Sequence, residues 1–204
     1  MDDPSAKQAV AGGGDSPAPA GSGISAAEPP RKSPYSLQAK IGRLLWGVTS
    51  ALLWSNTPRG ASWFRVMLLR LFGAKVGSGA LIDPAAQIEI PWNLDIGDNV
   101  RVCRRAILYC LGPVRIGSGT LIGPYAHICA GTHDFTDPRF TLLRQPITIG
   151  SRCVIQTAAF VAPNVTVGDG AVLAPRACLY SDAEPGRRYG GNPAKLIDDV
   201  GSES

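Results

Sequence analysis

Histidine and cysteine are the residue types in this 204-residue chain that could act as bases, nucleophiles or metal ligands. The chain has two histidines and five cysteines, and the gaps between successive cysteines (7, 19, 24 and 25 residues) match no C-x-x-C metal or redox spacing. A zinc site of the carbonic anhydrase type would be expected to use three histidines, one more than the chain has. We therefore expect no metal site. An imidazole remains a suitable base for taking a proton from a hydroxyl group near neutral pH.

Of the two histidines, His133 is the one whose position in the sequence favours a catalytic role. It lies in an irregular insertion that interrupts a regular repeat, and surface loops of this kind often carry functional residues. The alternative is a solvated loop histidine bonded to Asp134 or Asp137. His127 lies within the repeat, where we expect a structural role, although it could face a subunit interface or a substrate. The chain has no Gly-x-Ser-x-Gly elbow and no recognised Cys/His nucleophile signature, so a covalent intermediate is disfavoured.

A six-residue repeat of branched aliphatic residues sets the fold. Its fifteen positions are Val76, Ile82, Ile88, Ile96, Val102, Leu108, Ile116, Ile122, Ile128, Ile149, Ile155, Val161, Val167, Leu173 and Leu179. A period of six fits neither a helix nor a simple alternating strand, but it fits a short strand plus a tight turn that forms one side of a three-sided prism. Where a full hexad follows, the fourth residue after the aliphatic is small or β-branched, which allows the corner to close.

Three interruptions of the repeat support this count of sides. The spacing exceeds six by two residues after Ile88 and after Leu108, and by fifteen residues after Ile128. Each interruption follows a complete set of three hexads and hence falls at the same corner of successive coils. The sequence therefore predicts an all-β solenoid of about five coils over residues 74–183, with a long loop insertion at 129–148.

The rest of the chain divides by composition. Residues 1–33 have no aromatic residue and too little apolar surface to fold, so we expect a disordered tail. Residues 34–73 contain two helix-length apolar runs separated by a turn at 57–60, with Ser62 as the predicted cap of the second helix. Residues 184–204 form a C-terminal segment and tail. A net charge of +4 gives little reason to expect a nucleic-acid partner.

Residues 29–82 carry eight basic residues and no acidic residue. One interpretation is that the two helices pack on the solenoid. The other is a peripheral contact in which their apolar faces and bases rest on an anionic membrane surface. The bases in question are Arg31, Lys32, Lys40, Arg43, Arg59, Arg65, Arg70 and Lys75. The cysteine pattern and the lack of a secretory signal favour a cytoplasmic protein.

Two further phrases make the sequence similar to a known family. Residues 131–140 read G-T-H-D-F-T-D-P-R-F, and residues 191–197 read G-N-P-A-K-L-I. With the hexads, they resemble the hexapeptide-repeat acetyltransferases, and most of all the sugar O-acetyltransferases of the colanic-acid-biosynthesis type. The resemblance extends over about 34–197. It implies a left-handed parallel β-helix and a homotrimer, with active sites between neighbouring subunits where acetyl-CoA lies along the prism.

The resemblance also implies roles for individual residues. His133 takes the position of the general base. Asp134 is not part of this implication; as the neighbour of His133 in the chain, it could orient the ring or simply solvate the loop. The implied acetyl-CoA contacts are Thr157, Ala158, Ala174, Arg176, Asn192, Pro193 and Lys195, with Arg187 and Arg188 as further candidates for the phosphates. Cys110 stands on the acceptor side, where relatives often have an asparagine that helps to hold the sugar. Gln156 and Ser181 depart from the family pattern on the cofactor side.

These observations favour an acetyl-CoA-dependent O-acetyltransferase that modifies a sugar hydroxyl by direct general-base transfer. The expected setting is exopolysaccharide or lipid-linked oligosaccharide assembly at the cytoplasmic face of the membrane. N-acetylation of an amino sugar is the alternative within the enzyme class, because the same base serves either nucleophile. A non-catalytic β-solenoid scaffold is the alternative from another class, and the departures at Cys110, Gln156 and Ser181 support it. His133, present in its motif, weighs against a scaffold.

Overall fold

The structure, a computed structural model, describes residues 36–197. The prediction of a disordered tail at 1–33 falls outside these residues, as do Arg31, Lys32 and the last seven positions of the chain. Helix α1 spans Leu37–Thr49 and continues as a π-helical turn over Ser50–Trp54, and helix α2 spans Ser62–Leu71. Neither helix is long and apolar enough to cross a membrane.

The described strands form four sheets, of which three, called A, B and C, are the sides of a prism and the fourth is a two-stranded hairpin outside it. Sheet A contains β1 (Lys75–Val76), β4 (Leu94–Ile96), β7 (Val114–Ile116), β12 (Ile147–Ile149) and β15 (Thr166–Val167). Sheet B contains β2 (Leu81–Ile82), β5 (Arg101–Val102), β8 (Leu121–Ile122), β13 (Val154–Ile155), β16 (Val172–Leu173), β18 (Arg188–Gly190) and β19 (Lys195–Leu196). Sheet C contains β3 (Gln87–Ile88), β6 (Ile107–Tyr109), β9 (His127–Cys129), β14 (Phe160–Val161) and β17 (Cys178–Leu179).

The six-residue repeat is confirmed as the source of the core. Consecutive coils pair in parallel, and the repeat residues lie directly above one another; Ile82, Val102 and Ile122 are aligned in this way in sheet B. All fifteen aliphatic residues of the repeat are buried, with at most 8% of their surface exposed. The small residues four positions later are buried as well. The three interruptions all fall between sheet C and sheet A, which is the shared corner that the spacing predicted.

A shorter sixth coil follows the five complete coils. Ala183 pairs in parallel with Val167, and Tyr189 with Leu173, each 16 residues further along the chain. A full coil of this repeat has 18 residues, so the last coil lacks two. The spacing predicts about five coils ending at residue 183, whereas in the structure Ala183 belongs to the sixth coil, because the spacing shortens after Leu179.

Helix α1 packs across the open end of the first coil. Its two tryptophans are buried, and the indole N–H of Trp46 donates to the carbonyl oxygen of Ile88 at 2.7 Å. The indole N–H of Trp54 donates to the carbonyl oxygen of Ala86 at 3.2 Å. The outer edge of a first coil has no neighbouring strand, so its carbonyl groups need donors from elsewhere. The tryptophans supply them on the third side of the prism.

Helix α2 supplies donors to the other two sides of the first coil. Arg65 is fully buried, and its Nε donates to the carbonyl oxygen of Ile82 at 2.7 Å. The guanidinium of Arg70 donates to the carbonyl oxygen of Val76 at 2.6 Å. Ser62 donates to the carbonyl oxygen of Ala80 at 3.2 Å. Ser62 is therefore the first residue of the helix and bonds to the coil, and the prediction that it caps α2 is wrong.

The interpretation that the helices pack on the solenoid is thus confirmed for one face of each helix. We call residues 37–71 the helical cap. Arg65 cannot be one of the membrane-facing bases that the sequence suggested, because its charged group is buried among backbone oxygens. Its Nη1 donates to the carbonyl oxygen of Pro58 at 2.9 Å and its Nη2 to that of Arg59 at 2.8 Å. This single side chain therefore ties the turn between the helices to the first coil.

Candidate active site

The third interruption of the repeat folds into an antiparallel hairpin that carries His133. Its strands are β10 (Thr132–His133) and β11 (Leu142–Leu143), with His133 opposite Leu142. The hairpin leaves the solenoid after β9 of sheet C and returns before β12 of sheet A. A fifteen-residue excess at a corner can leave the coils undisturbed, because the sheets above and below keep their register. His133 is accordingly held outside the core, with an exposed side chain.

The imidazole of His133 is packed on one side and forms no hydrogen bond within the part of the chain that the structure describes. The ring of Phe140 lies 5.4 Å from it, with the two planes inclined by 33°. Phe140 has a φ of +54°, a left-handed conformation that is uncommon for a bulky residue and costs free energy. Among residues 36–197, no group forms a hydrogen bond with either ring nitrogen of His133. The ring is therefore positioned by contact, while its nitrogens remain able to bond to a substrate.

Asp134 and Asp137 shape the loop at the end of the hairpin. Asp134 Oδ1 accepts hydrogen bonds from the hydroxyl and the N–H of Thr136, at 2.6 and 2.9 Å, and these bonds hold the pKa of Asp134 below its usual value. Asp137 accepts from the hydroxyl of Thr141, which lowers its pKa in the same way. Neither carboxylate bonds to His133, so the alternative of a loop histidine bonded to Asp134 or Asp137 is not what the structure shows.

The predicted cofactor residues of the fourth and fifth coils lie in one column. Ala158 and Arg176 occupy equivalent turns at the corner between sheets B and C, with φ values of +56° and +60°. The two turns are joined by a hydrogen bond from the N–H of Arg176 to the carbonyl oxygen of Thr157 at 2.9 Å. Ala174 begins the same turn in the fifth coil, directly after β16. We call this column the B/C edge.

The C-terminal segment continues the B/C edge over the sixth coil. Gly191 accepts a hydrogen bond from the N–H of Cys178, and the N–H of Ala194 donates to the carbonyl oxygen of Cys178. These bonds place Asn192 and Pro193, which are joined by a cis peptide bond, above the turn of the fifth coil. Lys195 follows in β19, which pairs antiparallel to β18. The structure therefore brings all seven predicted cofactor residues to one edge.

The B/C edge suits a long ligand that ends in phosphates. Alanine and threonine occupy several positions of its turns, at 157–159, 174 and 177, and small side chains leave the adjacent backbone groups accessible. Cationic side chains surround the last two coils, and phosphates bind such groups through charge-assisted hydrogen bonds. The exposed cations are Arg176, Arg187, Arg188 and Lys195.

His133 and the B/C edge do not meet within one chain. The hairpin projects from the corner between sheets C and A, and the B/C edge is the opposite border of sheet C. One side of the prism has about six residues, so the two features are separated by roughly 20 Å at about 3.3 Å per residue.

Comparison with known proteins decides the family. The protein named colanic acid biosynthesis acetyltransferase WcaF in Escherichia coli (strain K12) is 38% identical to this chain over 153 residues, which is 75% of this chain and 84% of that protein. This chain belongs to the hexapeptide-repeat acetyltransferases. Galactoside O-acetyltransferase of Escherichia coli (strain K12) is 27% identical over 143 residues, 67% of this chain and 68% of that protein. No protein-family model matches the chain.

A solved structure supports the fold of this acetyltransferase. The hexapeptide-repeat acetyltransferase VCA0836 of Vibrio cholerae, complexed with acetyl coenzyme A, has a TM-score of 0.75 at 22% identity. The match covers 84% of this chain and 94% of that chain. The fold is the left-handed parallel β-helix that the sequence resemblance implied.

Cys110, the residue predicted for the acceptor side, directs its thiol into the core of the solenoid. It is fully buried, its thiol donates to the carbonyl oxygen of Leu108 at 3.0 Å, and burial raises its pKa to about 11. Side chains alternate across an extended segment, so the neighbouring Tyr109 points outward where Cys110 points inward. The amide of Asn93 fixes this corner by donating to the carbonyl oxygens of Cys110 and Leu111, at 3.0 and 2.9 Å.

Sheet C has an apolar outward face that the sequence analysis did not identify. His127 lies on it between the rings of Tyr109 and Phe160, at 6.2 and 5.5 Å. Among the described residues, His127 Nε2 is the one buried side-chain nitrogen or oxygen without a hydrogen-bond partner, and burial lowers the pKa of this histidine. The sequence contained a signal for this face. The outward positions of sheet C in the second, third and fourth coils are Ile107, His127 and Phe160, while sheet A has charged residues and threonines at its outward positions.

Two other kinds of site were considered within residues 36–197, a metal site and a surface groove. No group of three or more His, Cys, Asp or Glu side chains there could hold a metal ion. An open groove of about 410 Å³ lies beside sheet B of the first three coils, where Arg59, Asp83 and Arg101 line it. None of the residues predicted for the active site lines this groove.

Proposed function

We propose that this acetyltransferase moves the acetyl group of acetyl-CoA to a hydroxyl of a saccharide, with His133 as the general base. The observation that carries the proposal is the imidazole of His133, held on an exposed hairpin with neither nitrogen bonded to any of residues 36–197. His133 takes the hydroxyl proton, the oxygen forms a bond to the acetyl carbon, and the carbon–sulfur bond breaks. The proton then passes from His133 to the departing thiolate. Backbone N–H groups at a corner stabilise the negative oxygen of the transition state.

The cysteine chemistry of the chain supports direct transfer. Burial raises the pKa of Cys103, Cys110, Cys129 and Cys153, so these thiols are protonated near neutral pH and are poor nucleophiles. Cys129, the cysteine closest to His133 along the chain, also donates its thiol hydrogen to the carbonyl oxygen of Gly131 at 3.2 Å.

The B/C edge is our proposed site for acetyl-CoA. Thr157, Ala158 and Ala174 would line the pantetheine arm, because small side chains leave room beside the backbone. Asn192 and Pro193 would close the groove from above. Arg176, Lys195, Arg187 and Arg188 would contact the phosphates. For Asp134 we propose a positioning role, exerted through the loop that it folds rather than by a bond to the imidazole.

A homotrimer with intersubunit sites would join the two halves of the active site. In one chain His133 and the B/C edge lie at opposite borders of sheet C, so a neighbouring copy is needed to bring a B/C edge to each His133. The outward face of sheet C suits such a contact, since Ile107 and Phe160 are apolar and His127 Nε2 lacks a partner among the described residues. A neighbouring copy could supply that partner.

The proposed acceptor belongs to exopolysaccharide or lipid-linked oligosaccharide assembly on the cytoplasmic side of the membrane. The similarity to a protein named for colanic acid biosynthesis supports a saccharide of this kind. His133 would serve an amino group as well as a hydroxyl, so the assay must include both.

The test is release of free thiol from acetyl-CoA with a panel of saccharides and amino sugars. We expect the His133→Ala variant to lose turnover by about 10²–10⁴-fold, which is the usual contribution of a general base. Arg139→Ala is the matched control, because Arg139 is exposed on the same loop and its guanidinium lies beside Asp137, 3.5 Å away; we expect it to keep the activity of the unaltered protein. Normal turnover by a His133→Ala protein with unchanged oligomeric state would refute the role of His133. A chain that acetyl-CoA does not stabilise against heat would instead be a scaffold.

A further inference from the structure

The helical cap exposes large apolar side chains on the side opposite to its contact with the solenoid. In α1, residues 37, 41, 44, 45 and 48 follow the spacing of one helix face, and Trp46 lies on the opposite face. In α2, residues 63, 67 and 71 follow the same rule, with Arg65 and Leu69 buried behind them. We call the exposed set the cap face; it comprises Leu37, Ile41, Leu44, Leu45, Val48, Leu52, Leu53, Trp63, Met67 and Leu71.

The cap face points away from the solenoid. Both helices donate hydrogen bonds to the outer edge of the first coil, α1 through its tryptophans and α2 through Arg65 and Arg70. The surface opposite those bonds therefore lies beyond the end of the prism. Some of its members are nearly as exposed as a side chain on an isolated helix: Leu37 is 73% exposed, Trp63 71% and Leu71 77%. Large apolar side chains that are exposed to this extent on one face of each helix mark an interaction site.

Positive charge accompanies the cap face. Lys40 lies one turn from Leu37 and Leu44, at the border of the apolar stripe of α1. Arg59 and Lys75 are also exposed, and no acidic residue occurs between positions 29 and 82. The first two carboxylates beyond this segment are next to cations, Asp83 beside Arg59 at 3.8 Å and Glu89 beside Arg43 at 2.7 Å.

We propose that the cap face binds the surface of an anionic phospholipid membrane. The apolar side chains would enter the boundary between headgroups and acyl chains, and Lys40 and Lys75 would contact the lipid phosphates. The helices would lie flat on the membrane, and the solenoid would stand above them with its first coil nearest the lipid. This contact does not rest on acetyl transfer and would hold the enzyme next to a lipid-linked acceptor.

Two other occupants fit the cap face less well. A second copy of the chain would bring two sets of exposed cations together with no carboxylate in either cap to neutralise them, and such like-charge contacts are unfavourable. The N-terminal segment of the same chain offers little apolar surface. Residues 1–33 have only three large aliphatic side chains, Met1, Val10 and Ile24, and no aromatic ring, against ten large side chains on the cap face.

The test is co-sedimentation of the full chain with vesicles of phosphatidylcholine alone and of phosphatidylcholine mixed with phosphatidylglycerol. We expect binding to the mixed vesicles, weakened by high salt. Substituting Leu44→Gln, Leu52→Gln and Leu71→Gln together should abolish it. Leu81→Gln is the matched control, an exposed leucine on sheet B outside the cap, and should bind as the unaltered protein does. Lys40→Gln and Lys75→Gln should each weaken binding by about fivefold, which corresponds to about 1 kcal/mol per charge near the surface.

The outcomes separate this proposal from the others. No binding to the mixed vesicles, or full binding by the triple glutamine variant, would overturn it. If the unaltered chain does not bind vesicles and the triple variant forms a smaller oligomer in solution, the cap face is a contact with a second copy of the chain. Thiol release with a soluble acceptor should be the same in the triple variant and the unaltered protein, so failure of vesicle binding would leave the acetyl-transfer proposal untouched.

Discussion

The solenoid and the helical cap use apolar residues in opposite ways. In the solenoid, every aliphatic residue of the repeat is directed inward and is at most 8% exposed. In the cap, Trp46 and Trp54 are buried on one side while leucines of the same segment, such as Leu44 at 68% exposure, lie on the other. A strict period therefore indicates which side chains form a core. Apolar residues on both sides of a helix indicate a second apolar environment.

The two regions also differ in how they are joined to the rest of the molecule. Neighbouring coils are joined by backbone hydrogen bonds in register, which any sequence with the correct corners can form. The cap is joined to the first coil by side-chain donors. Arg65 alone reaches the carbonyl oxygens of Ile82, Pro58 and Arg59. Single substitutions should consequently have different effects in the two regions.

The largest stability difference should separate a core aliphatic from an exposed one. We expect Ile155→Ala to lower the free energy of unfolding by about 2–5 kcal/mol, because it leaves a cavity in a fully buried stack. Leu44→Ala, on the cap face, should change it by no more than about 0.5 kcal/mol. Urea titration of both variants measures the contrast. An equal loss in the two variants would mean that Leu44 is covered in the free protein.

A smaller loss should follow removal of the buried cation of the cap. Arg65→Met keeps much of the apolar stem but removes the donor from the carbonyl oxygens of Ile82 and Arg59, while that of Pro58 still accepts from the N–H of Ala61 at 3.0 Å. We expect a loss of about 2–3 kcal/mol, less than the full cost of two orphaned acceptors because water can reach part of the turn. Arg59→Ala is the control, since Arg59 is exposed and its contact with Asp83 is a surface ion pair of small effect. If the Arg65→Met variant is as stable as the unaltered protein, then the hydrogen bonds of Arg65 make no net contribution to the free energy of unfolding.

The core of the solenoid could be predicted from sequence because a coil imposes one constraint many times. Each aliphatic residue is aligned with its equivalent in the next coil. The six-residue period therefore predicts that the side chains at all fifteen positions are buried. The sixth coil was not predicted because it is two residues shorter than the others. In it, Ala183 rather than a branched aliphatic residue is aligned with Val167. Ser62 was assigned to a helix cap because the sequence cannot show that its hydroxyl reaches the carbonyl of Ala80.

The candidate site was predictable to a different extent at its two corners. Along the B/C edge the turns have no insertions, so residues one coil apart, such as Ala158 and Arg176, must lie close together. At the corner between sheets C and A the chain leaves the repeat. The six-residue period does not apply there and cannot predict the direction of a side chain. Cys110 is directed into the core there, and the contact of Phe140 with His133 depends on a loop conformation that no spacing encodes.

The smallest expected effect concerns His127 on the outward face of sheet C. Burial lowers its pKa below 6.5, so the unfolded chain binds more protons than the native protein once the pH falls below that value. Native stability should therefore decrease as the pH falls from about 6.5 through the lowered pKa, and the contribution of His127 should be absent above pH 7.

We expect His127→Leu to reduce the drop in melting temperature between pH 7.5 and 5.5. Phe160→Leu, which replaces an adjacent ring that does not titrate, should leave that drop unchanged. If His127→Leu loses as much stability on acidification as the unaltered protein, then groups elsewhere account for the pH dependence. Should the drop instead depend on protein concentration, the buried Nε2 lies in a contact between copies, as the proposed trimer requires, because only an association equilibrium makes melting depend on concentration.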